Sequence, residues 1–313
     1  MIGYHRDRAG LKPVPTILLA ILTIVIGSGV PSPAMAGQSI SPVLVGAGDI
    51  ASCEGKQSEF TARLLDVIPG TVFTAGDNAY SHGTAQEFIE CYSATWGRHR
   101  FRTRPSPGNH EYESPQAAPY FKYFGAKAGP PGLGYYSYDI GAWHIVSLNS
   151  NVGAKSWGAT QEEWLRNDLA ANPAHCVLAY WHHPYFSSGK TYGNHPHMRG
   201  LFRILYQRGA SVLVSGHDHI YERFAPQDPN GKADPRGVRQ FIAGTGGGRL
   251  YQIGNVKANS EARNIQAHGV LKFTLNAATY DWEFMPIAGQ NYRDRGSASC
   301  FRNDQPEKER RAP

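Results

Sequence analysis

The amino-acid sequence predicts an α/β layered fold with mixed sheets. Three observations predict it: short β-rich apolar runs that each end in a polar, glycine-rich turn, helical periodicities between several of them, and one alternating hairpin pattern late in the chain. The first run is 43–47 (VLVGA). Phe60, Leu64 and Leu65 then share a helical face, and the second run follows at 71–75. A third run covers 144–148. Over 161–171, Trp164, Leu165 and Leu169 recur at helical spacing, and Thr160 with Glu163 has the spacing of a capping box, which starts the predicted helix there. Behind the fourth run, 176–181, Leu201, Ile204 and Leu205 line one side of a helix that Gly209 ends as a left-handed cap. Runs 211–215 and 239–243 complete the buried strands. From 268 to 287, apolar residues alternate on both sides of a turn near 276–278, and this antiparallel hairpin makes the sheets mixed. Residues 112–134, rich in Pro, Gly and Tyr, read as the longest loop and as a candidate active-site wall.

Composition bounds the class. With 313 residues, 41% of them hydrophobic, the chain has ample material for a core, and disorder as its main state is excluded. No run of about 18 apolar residues is present to span a bilayer, so no integral membrane protein is expected. The start of the chain reads as a leader. Arg6, Arg8 and Lys12 precede a short apolar stretch at 16–27, and Ala34-Met35-Ala36 supplies small residues at a cleavable bond. The expected organisation is therefore a signal peptide (1–36), one domain (37–300) and a polar tail (301–313), in a secreted or periplasmic protein. An N-terminal anchor is the alternative reading of the same stretch. Of the net charge of +6, the leader carries +2 and the tail +1, which leaves a mild positive bias suited to anionic substrates and no case for nucleic acid. Oligomeric state is not legible. Four cysteines in an exported chain, without CxxC spacing, read as disulfides. Three pairings are possible; Cys53 with Cys91 and Cys176 with Cys300 is the expected one, because the second bridge would pin the C-terminal end.

The chemistry lies where the runs end. They empty into Gly48-Asp49, Gly76-Asp77-Asn78-Ala79-Tyr80, His182-His183-Pro184 and Gly216-His217-Asp218-His219, and Gly108-Asn109-His110-Glu111 follows a proline-rich turn. Ligand sites in α/β sheets form outside the carboxyl ends of strands, so side chains far apart in sequence can converge there. Singly, each piece is ordinary: a Gly-Asp turn whose carboxylate bonds nearby backbone, a satisfied imidazole, an aromatic contact. Together they supply two carboxylates, an amide oxygen, a phenol and three imidazoles. That mixed oxygen and nitrogen set suits paired first-row transition metals rather than calcium or a closed zinc–thiolate site. Gly244 to Gly248 lacks the Lys-Ser/Thr of a phosphate-binding loop and reads as close backbone packing near the site.

In this order the motifs resemble the calcineurin-like metallophosphoesterases, and within them the purple acid phosphatases. Most of that superfamily has Asp-x-His in its first motif. Here Ala51 stands where the His would be, and Tyr80, three residues after Asp77, matches the replacement ligand of the purple acid phosphatase branch. The resemblance implies a layered sandwich of two mixed β-sheets flanked by helices. It further implies that Asp77 bridges two metal ions, with Asp49, Tyr80 and His219 completing a ferric iron site. Asn109, His182 and His217 would complete the other, filled by divalent iron, zinc or manganese. The implied activity is hydrolysis of small phosphate monoesters by attack of a metal-bound hydroxide. His110 takes the family position beside the leaving group, and His195 and His197 lie in the loop where family members place further catalytic histidines. A phosphodiesterase or nucleotidase with the same centre is the alternative within the enzyme class. A non-catalytic secreted binding protein on the same fold is the alternative outside it.

Overall fold

The computed structural model describes residues 41–151, 156–174 and 176–301. The expected leader and nearly all of the expected tail lie outside the described residues. Thirteen strands are present among them: β1 (Val43–Ala47), β2 (Thr71–Ala75), β3 (Thr103–Ser106), β4 (Tyr136–Ile140), β5 (Trp143–Ser147), β6 (Cys176–Tyr180), β7 (Val212–Ser215), β8 (Tyr221–Phe224), β9 (Arg239–Ala243), β10 (Ser260–Asn264), β11 (Gly269–Leu275), β12 (Thr279–Pro286) and β13 (Arg295–Ser299). The α-helices are α1 (Gln57–Val67), α2 (Ala85–Glu87), α3 (Ala118–Phe124), α4 (Ser156–Ala171) and α5 (Arg199–Arg208).

The strands form two mixed sheets, ordered β13-β12-β11-β1-β2-β3 and β10-β8-β9-β7-β6-β5-β4. In the first, β1, β2 and β3 run parallel while β11, β12 and β13 run antiparallel. In the second, β5, β6, β7 and β9 are parallel, and β4, β8 and β10 add antiparallel edges. Side chains alternate across each strand. Leu44, Phe73, Leu178, Val214, Phe241 and Phe273 fill the space between the sheets. Val45, Ala47 and Val72 face outward onto Leu65 of α1 and the aromatics Phe88, Tyr92, Tyr120 and Phe124. Val146, Ala179 and Leu213 face outward onto Leu165 of α4 and Phe202 and Leu205 of α5. Buried on both faces, the central strands carry apolar side chains at nearly every position, which is why they read as continuous runs.

Three of the six expected runs coincide with strands residue for residue, two differ by one residue at one end, and 144–148 is shifted by one residue along β5. The hairpin β11–β12 pairs from Gly269↔Pro286 to Leu275↔Tyr280 around the expected turn. Gly209 closes α5 with φ 75°, as a left-handed cap. Two expectations are corrected. Residues 112–134 are no open loop but short 3-10 turns around α3, whose Tyr120 and Phe124 pack into the aromatic cluster with Phe88 and Tyr92. Helix α4 begins at Ser156, so Thr160 lies inside it rather than at its N-cap.

Both expected disulfides are present, Cys53–Cys91 and Cys176–Cys300, with Cα separations of 5.0 and 5.3 Å. The second ties the residue after β13 to the first residue of β6. By chain entropy, loops of 38 and 124 residues correspond to about 4 and about 5 kcal/mol of stabilisation.

A buried ion-paired histidine joins the second sheet to α4. His144 on β5 is 2% exposed, with Nδ1 2.7 Å from Asp139 Oδ1 and Nε2 2.8 Å from Asp168 Oδ2. Burial alone would lower its pKa; the hydrogen bonds and charges of Asp168 and Asp139 more than reverse that and raise it. A histidine with a raised folded pKa stabilises fully below its unfolded pKa of about 6.5, and that stability is lost as pH rises through the folded value. His144→Gln is therefore expected to melt below the parent protein at pH 5–6, with the gap narrowing above neutrality. Thermal melts followed by circular dichroism across that range check this; a gap that widens with pH contradicts it.

Candidate metal centre

Both sheets contribute to one site at the carboxyl ends of their parallel strands. Asp49 follows β1, Asp77 and Tyr80 follow β2, and Asn109 and His110 follow β3. From the other sheet, His182 follows β6, and His217 and His219 follow β7. The strand leading to Asn109 was not legible in the sequence because it contains Pro105; β3 is the edge strand, where a proline is tolerated.

Three of these residues sit in left-handed backbone conformations directly after a strand and a glycine: Asp49 (φ 61°), Asp77 (φ 49°) and His217 (φ 69°). Such conformations cost about 1 kcal/mol or more in a non-glycine residue and persist where surrounding bonds impose them. The bonds are visible here. Asp49 Oδ2 accepts the N–H of His217 at 2.8 Å, and Asp77 Oδ1 accepts the N–H of His110 at 3.0 Å. Each carboxylate is thus anchored by one oxygen to the backbone of a different motif and turns the other inward. The glycines permit the close approach: a Cβ on Gly108 would lie 2.0 Å from Asp77 Oδ1, and one on Gly216 would lie 2.5 Å from Asp49 Oδ2.

The inward atoms fall into two groups that meet at Asp77. Tyr80 Oη lies 2.9 Å from Asp49 Oδ1, 3.1 Å from His219 Nε2 and 3.1 Å from Asp77 Oδ2. On the other side, His182 Nε2 lies 3.2 Å from the same Asp77 Oδ2, 3.0 Å from Asn109 Oδ1 and 3.1 Å from His217 Nδ1. All seven side chains expected from the sequence are therefore brought together. Their spacing fits metal ions: donors bound at about 2.0–2.2 Å lie about 3 Å from one another. Two imidazoles also carry the outer bond of a ligating histidine, since His182 Nδ1 is 2.8 Å from the Ala75 carbonyl and His219 Nδ1 is 2.7 Å from the Arg249 carbonyl. That bond makes Nδ1 the N–H donor and leaves Nε2 for the centre.

Electrostatics point the same way. Burial raises the Tyr80 phenol well above its usual range, and the charges of Asp49 and Asp77 raise it further. Two buried carboxylates aimed at one phenol are stabilised together only by positive charge. Burial opposes ionisation of Asp77, but the His182 and His110 imidazoles outweigh it and hold the carboxyl well below its usual range. Burial likewise opposes protonation of His182, and Asp77 outweighs it, pushing that imidazole up to about 9.

The expected catalytic histidines are placed unequally. His110 borders the centre, with Nε2 3.7 Å from Asp77 Oδ2 and a quarter of its side chain exposed. Its Nδ1 meets the Ser81 carbonyl and lies 3.3 Å from Glu113. His195 is partly buried with its ring 4.8 Å from that of His217, while His197 is exposed at the rim, 3.4 Å from the Ser150 carbonyl. The glycine-rich segment 244–248 packs as expected: Gly246 and Gly248 donate to the Gly48 and Asp49 carbonyls.

Sequence reasoning missed three supports. The buried carboxylate of Glu111 accepts the N–H groups of Gly108, Asp77, Asn78 and Ala79 at 2.6–3.3 Å and so locks the β2 and β3 turns together. Burial and the Asp77 charge raise its pKa to about 7. Asp218, buried between the two histidines of its motif, accepts from Ser187, Tyr192 and Gly193 and holds the loop that carries His195. Tyr192 and Tyr251 stack on His217 and His219 with ring centroids 4.0 and 4.1 Å apart. A buried acid beside candidate ligands was the one sequence signal available, in the Glu of Gly108-Asn109-His110-Glu111.

Comparison with known proteins follows the same residues. The family model for calcineurin-like phosphoesterases matches residues 44–221. The chain is 32% identical over 224 residues to purple acid phosphatase 21 of Arabidopsis thaliana, across 65% of this chain and 49% of that protein. It is 28% identical over 174 residues to acid phosphatase type 7 of Homo sapiens, across 45% and 39%. The chain thus spans half or less of the length of these curated relatives. Its fold is similar to that of the purple acid phosphatase PPD1 from yellow lupin (TM-score 0.68, 18% identity, 84% of this chain and 54% of that one). It is also similar to that of GAP50, the anchor in the inner membrane complex of Plasmodium (0.65, 12%, 85% and 90%). At these identities the likeness is one of fold.

Proposed function

The chain belongs to the calcineurin-like phosphoesterase family, and from that premise we propose that it is an exported phosphomonoesterase of the purple acid phosphatase type with a two-metal centre. Asp77 would be shared by both ions, with Asp49, Tyr80 and His219 completing the set that would hold ferric iron and Asn109, His182 and His217 the set that would hold a divalent ion, iron, zinc or manganese. The observation that carries this reading is the meeting of two donor groups at one oxygen, Asp77 Oδ2. When bound, such ions lower the pKa of water and neutralise the charge that develops on a phosphoryl group under attack.

The protein's own groups perform the rest. The carboxylates enter the site already oriented by the His217 and His110 backbone N–H groups, so little reorganisation is left for the moment of reaction. His110 stands at the edge of the centre with a quarter of its side chain exposed and, as the imidazolium, donates a proton to the departing ester oxygen. His195 and His197 position the phosphate from the rim. The filled ligand set weighs against a non-catalytic binding protein on this fold, since all seven positions carry donors.

The test is direct. The purified protein is expected to contain iron and a second metal, to hydrolyse an aryl phosphate, and to turn over a phosphodiester far more slowly. Folded protein that carries both ions and hydrolyses neither ester overturns the reading. Tyr80→Phe is expected to abolish the visible absorption band that ferric iron gives with a phenolate; a band that survives removes Tyr80 from the iron site.

A further inference from the structure

Beside the seven-residue centre lies a second group of imidazoles that the proposed reaction leaves largely unused. His183, His195 and His217 each offer a ring nitrogen, and these three atoms all lie within 4.8 Å of one another. The rings close a triangle, with centroids 4.4 Å (His183–His217), 4.8 Å (His195–His217) and 4.9 Å (His183–His195) apart. They come from three places in the chain: the residue after His182, the loop beyond it, and the turn after β7.

Each ring has one nitrogen committed elsewhere or one left over. His183 Nδ1 lies 2.8 Å from Ser150 Oγ, which also accepts the His183 backbone N–H at 3.0 Å. Nε2 is the remaining nitrogen, and a hydroxyl behind Nδ1 is the outer contact that orients a ligating histidine. His217 Nδ1 faces His182 in the seven-residue centre, which leaves its opposite nitrogen. His195 Nε2 is buried and has no hydrogen-bond partner among the described residues, an arrangement that costs free energy unless something satisfies it. The ring is nevertheless held in place: its backbone N–H donates to the Pro184 carbonyl at 3.0 Å, and Asp218 fixes Tyr192 and Gly193 just before it.

We propose that His183, His195 and His217 form a third cation site, a three-imidazole cage that takes a zinc-class divalent ion and shares His217 with the catalytic centre. Two neutral imidazoles, His183 and His195, and His217 as an imidazolate, whose second nitrogen gives up its proton to water as the ion binds, form a nitrogen-only set with no carboxylate that selects a borderline transition metal over calcium or magnesium. Like charges on two edges of one imidazole make this ion the weakest bound of the three. It fills only when the metal is in excess, and it removes His195 from the phosphate. The site is therefore inhibitory.

This proposal rests on the two-metal reading for the number of ions already present, and the experiment separates the two. Zinc chloride alone is titrated into the metal-loaded protein by equilibrium dialysis, with metal counted per chain. Two ions before titration and a third equivalent on adding zinc are expected in the parent protein. His183→Gln and His195→Gln are expected to keep two and to lose the third, with at least a tenfold weaker final binding step. Cobalt in place of zinc supplies a second readout, a visible band at the third equivalent that both substitutions remove. No third equivalent up to millimolar zinc overturns the cage, as does a third equivalent that survives both substitutions in folded protein. Fewer than two ions at the outset counts instead against the two-metal reading.

Discussion

Asp77→Asn is expected to leave the protein with fewer than two bound ions and to lower phosphate ester hydrolysis by more than about 10³-fold, beyond the usual loss of one oxyanion donor. The expectation comes from the position of one atom. Asp77 Oδ2 lies 3.1 Å from Tyr80 Oη and 3.2 Å from His182 Nε2, so it belongs to both donor groups. Asparagine keeps the size of the side chain and an oxygen for the His110 N–H, which Asp77 Oδ1 accepts at 3.0 Å. The turn that presents Tyr80 therefore persists while the bridging charge is lost. Asp49→Asn is the control. Asp49 Oδ1 lies against Tyr80 and His219, and its Oδ2 holds the His217 backbone N–H, a bond that asparagine's oxygen keeps, so that substitution is expected to weaken one ion and to spare the second. Metal content per chain and initial rates on an aryl phosphate distinguish the two variants. Equal metal loss in both removes the bridging role from Asp77, and unchanged metal in Asp77→Asn removes it from the centre.

What the sequence made legible follows from where each strand is buried. β1 (VLVGA) and β6 (CVLAY) lie inside the sheets and are apolar on both faces, so each announces itself as a run. β8 (YERF), β10 (SEARN) and β13 (RGSAS) are interrupted by charged or small polar residues. They are strands because a neighbour supplies the hydrogen bonds, and nothing local says so. α3 was hidden for a related reason: its helical state depends on Tyr120 and Phe124 finding Phe88 and Tyr92 across the fold. Six of the seven candidate ligands were legible because they stand just beyond the ends of runs, and Asn109 because the order of the motifs is that of a family. Their supports were not. Glu111 acts on Asp77 across 34 residues, Ser150 on His183 across 33, and Asp218 on Ser187 across 31. A buried acid or hydroxyl that organises backbone at such separations leaves no periodic signal, and although Glu111 and Asp218 stand inside the motifs, nothing local names the groups they hold.

His110→Gln is the second large effect, expected to lower turnover by about 10²–10⁴-fold, the usual contribution of a positioned general acid, with both metals retained. The imidazole is fixed for that task from three directions. Nδ1 meets the Ser81 carbonyl and lies 3.3 Å from Glu113, the ring packs edge-on against Tyr80 with centroids 4.7 Å apart, and Nε2 points toward Asp77 at 3.7 Å. The Ser81 carbonyl and Glu113 hold one proton on Nδ1, so the proton handed to the departing oxygen is a second one, carried on Nε2 of the imidazolium and lost as the P–O bond breaks. A proton donor matters most when the departing oxygen is a poor leaving group. The substitution should therefore depress hydrolysis of an alkyl phosphate more than that of a nitrophenyl phosphate, with the loss in kcat rather than in KM. An imidazole that only orients the phosphate would instead raise KM for both esters equally. Unchanged turnover on both, with two metals bound, removes His110 from the reaction.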